Sequence, residues 1–415
     1  MRRVKKHDFT KPPRKGSLVL YPIAWMLSLP SMKHHKLQIE KIGMEGLKPP
    51  YLLISNHQSF YDLKLLQTAI FPHRANYVAA IDAFALHNRF IMRSLGCIAK
   101  RKFLPMDYSL IKNMKYSVEK NKKICVMYPE ARFTLDGKRS LIPNSVGKLC
   151  KMLKVPVVTL NMHGCYTANP QFSQKKYTYV PLKAEMKQIV TAEEINKIAP
   201  DELTERIVAE LTYDDYDYQL ENNIRINDPD RAKGLGSLLY QCPHCYTEFS
   251  MTASGTTLRC EHCGKAYEYT ELGEMRALDG ETEFSHIPDW FDWQRENVRK
   301  EVEEGKYHFE DEVEVWTLPN AKKFYPQGKG KIVHNMDGFT LTCEAYGKPI
   351  EEFWKSEHTY GCHIEYNFRN KADVIDISKI DESYWLYPTK KNVITKISLA
   401  FEEIFKLKSK SDLLK

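Results

Sequence analysis

The chain has no run of about 20 apolar residues, so no segment is long enough to cross a bilayer as a helix. An export signal is not expected either. The apolar stretch Leu18 to Leu29 follows basic residues, but Pro22 interrupts it and no small-residue cleavage site follows. No segment repeats at a solenoid period. The spacing of a disulfide framework is missing too. Of ten cysteines, four fall in two C-x-x-C pairs, while Cys97, Cys125, Cys150, Cys165, Cys343 and Cys362 are scattered in mostly apolar surroundings. A helical membrane span, a repeat array and a disulfide scaffold are thereby excluded. A reducing compartment with one metal site fits.

What is present reads as soluble globular protein, 43% hydrophobic over 415 residues. That length exceeds one core and predicts two or three domains. Net charge is +8, and its placement is informative. Residues 1–35 carry Arg2, Arg3, Lys5, Lys6, Lys11, Arg14, Lys15 and Lys33 against Asp8 alone. The apolar stretch that follows contains Tyr21 and Trp25. Basic residues beside a short apolar run with interfacial aromatics predict an in-plane anchor on an anionic leaflet, at the cytoplasmic face of the cell membrane. The alternative is a frayed tail followed by a core helix.

Residues 36–225 alternate short apolar runs with helical patterns. YLLIS, ANYVAA, CIAK, KICVMYP, VPVVTLNMHG and KYTYVPL read as strands; 62–70, 82–94, 108–120 and 145–153 read as helices. The alternation predicts an α/β fold, a mixed sheet flanked by helices. A Pro- and Gly-bearing stretch at 226–237 reads as a linker, and 238–270 as a compact cysteine segment. Residues 271–415 begin as an acidic, aromatic connector. They continue as β-rich stretches closed by one amphipathic helix, which suggests a small barrel or sandwich of the pleckstrin-homology-like kind.

The stretch with most chemistry is Ser55-Asn56-His57-Gln58-Ser59-Phe60-Tyr61-Asp62, after the apolar run Tyr51 to Ile54. On one continuous helix, five residues turn by about 500°, and the imidazole and carboxylate would diverge. They meet only if His57 lies in a turn and Asp62 on the first turn of the next helix. Asn56 and Ser59 suit that turn and its cap. Taken alone, a strand–turn–helix corner with a capping histidine explains the stretch equally well. Three further blocks follow in order: Gly96 to Phe103 with Lys100 and Arg101, Tyr128 to Lys138 with Glu130 and Arg132, and Lys154 to Gly164 with Pro156.

These four blocks resemble the glycerolipid acyltransferase superfamily, the PlsC-like lysophosphatidate acyltransferases, over about residues 35–215. The third block departs from the family's FPEGTR: it reads YPEARF, with Ala131 in the glycine's place and Arg132 one position early. The second has Lys100-Arg101 where the family has an arginine. The resemblance implies transfer of a fatty acyl group from acyl-CoA or acyl carrier protein to a lysophospholipid hydroxyl. His57 would be the general base and Asp62 its orienting partner. A thioester is activated enough for direct attack, so single displacement is expected over ping-pong. Asn56, Ser59, Lys100, Arg101, Glu130 and Arg132 are the candidate substrate-binding residues, the cations holding an acceptor phosphate.

The second strong motif is Cys242-Pro-His-Cys245 with Cys260-Glu-His-Cys263, fourteen residues apart. Two such knuckles place four thiolates at tetrahedral reach of a structural zinc, with a hairpin between them turning at Gly255. Zinc ribbons often bind nucleic acid. This one contains only Arg259 and Lys265 as Lys/Arg, so no nucleic-acid partner is expected. A lipid-binding or scaffold protein without turnover is the remaining alternative, against which the intact His57/Asp62 pair speaks.

Overall fold

A computed structural model describes residues 4–104, 107–173 and 175–409; Arg2 and Arg3 lie outside them. The first half is the expected α/β unit. Its sheet comprises β1 (Gln38–Ile42), β2 (Leu52–Ser55), β3 (Ala75–Ala80), β4 (Ile98–Lys100), β5 (Ile124–Met127), β6 (Val157–His163) and β7 (Lys183–Val190). The order is β1-β7-β6-β2-β5-β3-β4. β6, β2, β5, β3 and β4 pair in parallel, while β7 runs antiparallel to β6, so the sheet is mixed. β2 is buried along its whole length, because a central parallel strand has helices on both faces. The carboxyl ends of β2, β5, β3 and β4 therefore share one edge, where an open α/β sheet places its ligand crevice.

Three local expectations are corrected. The helix read over 82–94 is two helices, Ile81–Leu86 and Arg89–Ser94, broken at Asn88. Asn88 takes a left-handed backbone (φ 67°), and its side chain caps the second helix by accepting from the Phe90 N–H. KYTYVPL is a turn rather than a strand. The strand begins at Lys183, where Ala184, Met186 and Val190 alternate inward between polar residues. The stretch 226–237 is no free tether, because Ala232 and Leu235 are buried in the core.

The ribbon is a four-stranded antiparallel sheet of β8 (Met251–Ser254), β9 (Thr257–Cys260), β10 (Ala266–Tyr269) and β11 (Met275–Ala277). The connector is a 17-residue helix, Ile287–Glu303. Its Trp290 is fully buried, donates to the Gln241 carbonyl and meets the Tyr267 ring edge-on at 5.0 Å. Beyond it lie β12 (His308–Thr317), β13 (Tyr325–Asn335), β14 (Gly338–Ala345), β15 (Lys348–Lys355), β16 (His363–Phe368), β17 (Ala372–Ser378) and β18 (Ser383–Pro388). They form one antiparallel sheet in the order β15-β14-β13-β12-β18-β17-β16, closed by the helix Ile394–Ser409. The β-rich region is thus a single seven-stranded sheet, with β12 joining its two halves.

These parts share side chains. One apolar core joins Tyr166 and Tyr216 of the α/β unit to the ribbon, the connector helix and the C-terminal sheet. Another joins Ile81 and Phe84 to Leu318, Phe368 and Trp385. From Lys5 to Arg14 the basic N-terminal tail is not frayed. Asn76, Asn113, Asn121 and Asn320 donate side-chain hydrogen bonds to the backbone carbonyls of Arg14, Phe9, Pro13 and Lys5, strapping the tail across both halves.

Candidate active site

β2 ends in a turn that carries His57, and the helix Tyr61–Ile70 begins at once, with Asp62 in its first turn. The His57 Nδ1 and Asp62 Oδ2 atoms are 2.8 Å apart. The carboxylate also accepts the Gln58 and Ser59 amides at 2.7 and 3.1 Å. Asp62 is 1% exposed. Burial pushes its carboxyl up, opposed by the His57 ring and the two amides. The imidazole stacks on Tyr128 at 4.0 Å and lies against Phe133 at 4.2 Å. With Nδ1 engaged, Nε2 is the nitrogen left for an acceptor. Gln58 is held in turn. Its Nε2 donates to the buried Asp215, and its Oε1 accepts the Cys165 amide.

The other residues read as substrate ligands are mostly engaged inside the protein. Asn56 uses both amide atoms on the Met162 backbone, tying β2 to β6. Ser59 accepts the Tyr61 amide where the following helix begins. Glu130 accepts the backbone N–H of His57 at 2.9 Å and of Ser140 at 2.7 Å, so it fixes the loop carrying the imidazole. Ala131, in the glycine's place, adopts a left-handed backbone with φ 60°.

The two arginines correct the expectation most. Arg101 is 1% exposed and donates to the Leu318, Pro319 and Ile380 carbonyls and the Ser383 hydroxyl. Arg132 donates to the Ser398 hydroxyl at 2.7 Å and pairs with Glu402 at 2.6 Å. Both hold the C-terminal region rather than an open anion site. Lys100 alone of the set has no hydrogen bond or ion pair among the described residues; burial pulls its ammonium down from the usual range.

Two stability predictions follow from these contacts. Glu402 also binds Arg295 at 2.6 Å and is 3% exposed. Glu402→Ala leaves the buried Arg132 guanidinium without its carboxylate, while the half-buried Arg295 keeps Glu403, and is expected to cost about 3 kcal/mol in denaturant unfolding. A loss below about 1 kcal/mol would show that the clamp does not hold the halves together. Burial pushes the Glu130 carboxyl up to about 8, against the two amides and Arg139. A carboxyl whose folded pKa is raised binds protons more tightly in the native state. Its share of stability is therefore greatest below the unfolded value of about 4.3 and declines as pH rises toward 8. Denaturant midpoints at pH 5 and pH 8 should differ less in Glu130→Gln than in wild type; an equal difference would assign the slope to other groups.

Sequence reading missed what faces this edge from the C-terminal sheet. The side chains of Asp82, Lys102, His363, Glu365 and Asp376 cluster there, and His363 lies near enough to feel the charges of His57 and Arg132. No sequence signal joins residues so far apart in the chain.

The four ribbon cysteines converge. Their sulfurs lie within 4.8 Å of one another, with Cys242–Cys263 and Cys245–Cys260 each at 3.8 Å. Four thiolates about 2.3 Å from one tetrahedral ion are about 3.8 Å apart, so the residues present fit zinc. Both knuckles close alike: the amides of Tyr246 and Gly264 return to the Cys242 and Cys260 carbonyls. His244 and His262 are exposed and lie outside the cluster.

Residues 34–163 match the family model described as Acyltransferase. Among solved structures, the chain is similar to the crystal structure of the 1-acyl-sn-glycerophosphate (LPA) acyltransferase PlsC from Thermotoga maritima. Identity is 15%, coverage is 46% of this chain and 78% of that one, and the TM-score is 0.37. No curated protein matches the chain.

Proposed function

We propose, for a chain whose residues 34–163 belong to the acyltransferase family, that it moves a fatty acyl group from a thioester, acyl-CoA or acyl carrier protein, to the free hydroxyl of a lysophospholipid. The observation that carries this reading is the His57–Asp62 pair, 2.8 Å apart at the end of β2. Asp62 holds the proton on Nδ1, so Nε2 accepts the acceptor's hydroxyl proton. The hydroxyl oxygen bonds to the thioester carbonyl carbon. As the tetrahedral intermediate collapses, the C–S bond breaks, and the thiolate leaves with the proton returned by Nε2. A structural zinc on Cys242, Cys245, Cys260 and Cys263 would supply folding energy only, since four sulfurs leave no open position.

An anionic membrane surface is the proposed source of the acceptor. No helix among the described residues is long and apolar enough to cross a membrane. The helix Leu20–His34 and the residues before it turn apolar side chains outward instead, with Leu18 and Leu27 each 74% exposed. Ser17 donates to the Ser94 carbonyl, joining the segment before this helix to the end of the helix Arg89–Ser94, whose Phe90 and Ile91 are also exposed. Arg14, Lys15, Arg89 and Arg93 flank that surface in sequence. Leu27→Asp should reduce co-sedimentation with anionic vesicles several-fold, because a carboxylate replaces buried apolar area. Undiminished sedimentation would place the membrane contact elsewhere.

The reaction is tested by supplying an acyl thioester and lysophospholipid vesicles together and separately. Diacyl product and free thiol should appear in equal amounts, and only with both substrates present. Thiol release at the same rate without lysophospholipid would make the protein a thioesterase instead.

A further inference from the structure

The far end of the edge that carries His57 has unusual chemistry. Asp82 follows β3 and Lys102 follows β4, two and three strands from β2, or roughly 10 and 14 Å along the edge. The C-terminal sheet roofs this end. On its edge strand, His363 lies directly across from Asp376 on β17, and Glu365 is two residues along on the same face. Lys102 Nζ sits 2.9 Å from Asp82 and 3.5 Å from Asp376, and His363 Nε2 is 3.0 Å from Glu365. Two carboxylates thus flank the Lys102 ammonium, and the third, Glu365, pairs with His363.

Two acceptors in the cluster are unfilled. His363 and Asp376 are each 4% exposed, yet His363 Nδ1 and Asp376 Oδ1 have no hydrogen-bond partner among the described residues. A buried acceptor without a donor is costly, so the site is complementary to a ligand bringing positive charge and several N–H groups. A metal ion suits it less, because these ligand atoms do not form one of the tight groups that the cysteines do. Burial pushes the Glu365 and Asp376 carboxyls up to about 7, against the pull of the Lys102 ammonium. Meanwhile Arg101 and Arg132 are sealed in the interface and do not face an anionic head group.

We propose that Asp82, Lys102, His363, Glu365 and Asp376 form the head-group subsite of the acyl acceptor, and that it selects a lysophospholipid ending in a primary ammonium. This rests on the reading of His57 as the base that receives the acceptor hydroxyl. The hydroxyl binds at the β2 end of the edge and the ammonium at the β3–β4 end, beneath the C-terminal sheet. The C-terminal sheet then supplies acceptor specificity to chemistry performed by the α/β unit.

The test is a competition. Full-length protein receives acyl thioester and an equimolar mixture of three lysophospholipids in one micelle: a phosphate monoester, a primary-amine head group and a quaternary ammonium. Binding of soluble ethanolamine phosphate is followed separately by ligand line broadening. Wild type should favour the primary amine by roughly 10- to 100-fold in kcat/KM, the worth of hydrogen bonds to a charged group. Glu365→Gln and Asp376→Asn should collapse that ratio toward one and weaken fragment binding. Glu351→Gln, exposed on β15, should keep the ratio. Equal use of the three acceptors by wild type, or an unchanged ratio in both cluster variants, would overturn the subsite, as would absence of fragment binding. Fragment binding lost in Glu365→Gln, with no acyl transfer to any acceptor, would sustain the subsite and sink the acyltransferase reading instead.

Discussion

Asp62→Asn is expected to lower kcat by roughly 10²–10⁴ with a smaller change in KM. The carboxylate is saturated with donors: Oδ2 accepts from His57 and Gln58, Oδ1 from Ser59. An amide cannot reproduce this. Wherever its NH2 group lies, it meets a backbone N–H, and one buried donor loses its partner at a cost of about 1–3 kcal/mol. If the NH2 faces His57, Nδ1 must become the acceptor, the ring proton moves to Nε2, and the atom that should take the hydroxyl proton is already protonated. Asp62 does not touch the acceptor, so the loss belongs in kcat. Steady-state kinetics on protein with wild-type circular dichroism would separate this from unfolding. A kcat close to wild type would mean that Asp62 only caps its helix.

The second large effect is on the ribbon. Removing the metal by chelation, or replacing Cys260 by Ser, is expected to unfold residues 238–270 and to carry the connector helix and C-terminal sheet with them. Zinc in comparable small sites contributes apparent free energies of about 10–16 kcal/mol, more than so small a unit can replace. The damage would spread because Cys242, Cys260, Tyr267 and Trp290 belong to the same buried core as Val315, Leu386 and Phe401. Elemental analysis should give about one zinc per chain, and the thermal transition should fall steeply with chelator. A metal-free protein with an unshifted transition would mean that the four thiols are held by packing alone.

How far each part was legible depended on sequence distance. The His57–Asp62 pair lies within one strand–turn–helix corner, so apolar run, turn and cap announced it together. The cysteine knuckles were legible for the same reason. Residue type misled at Arg101 and Arg132. Both stand at strand ends where an anion site was expected, but their partners lie 217 to 282 residues away, and no local pattern names them. The fastening of the N-terminal tail was illegible for the same reason: its backbone is bound by four asparagines from distant segments. The mixed sheet was legible from alternating runs. β7 was displaced, because Tyr177 and Val180 are buried from a turn and mimic a strand.

The most direct measurement is acyl transfer by His57→Ala beside wild type, on the same vesicles and at the same thioester concentration. Wild type should convert lysophospholipid to diacyl product with one thiol released per acyl group. The folded variant should fall by at least about 10²-fold, since nothing else at the end of β2 replaces Nε2. Transfer at the wild-type rate by His57→Ala would contradict general-base catalysis at this site.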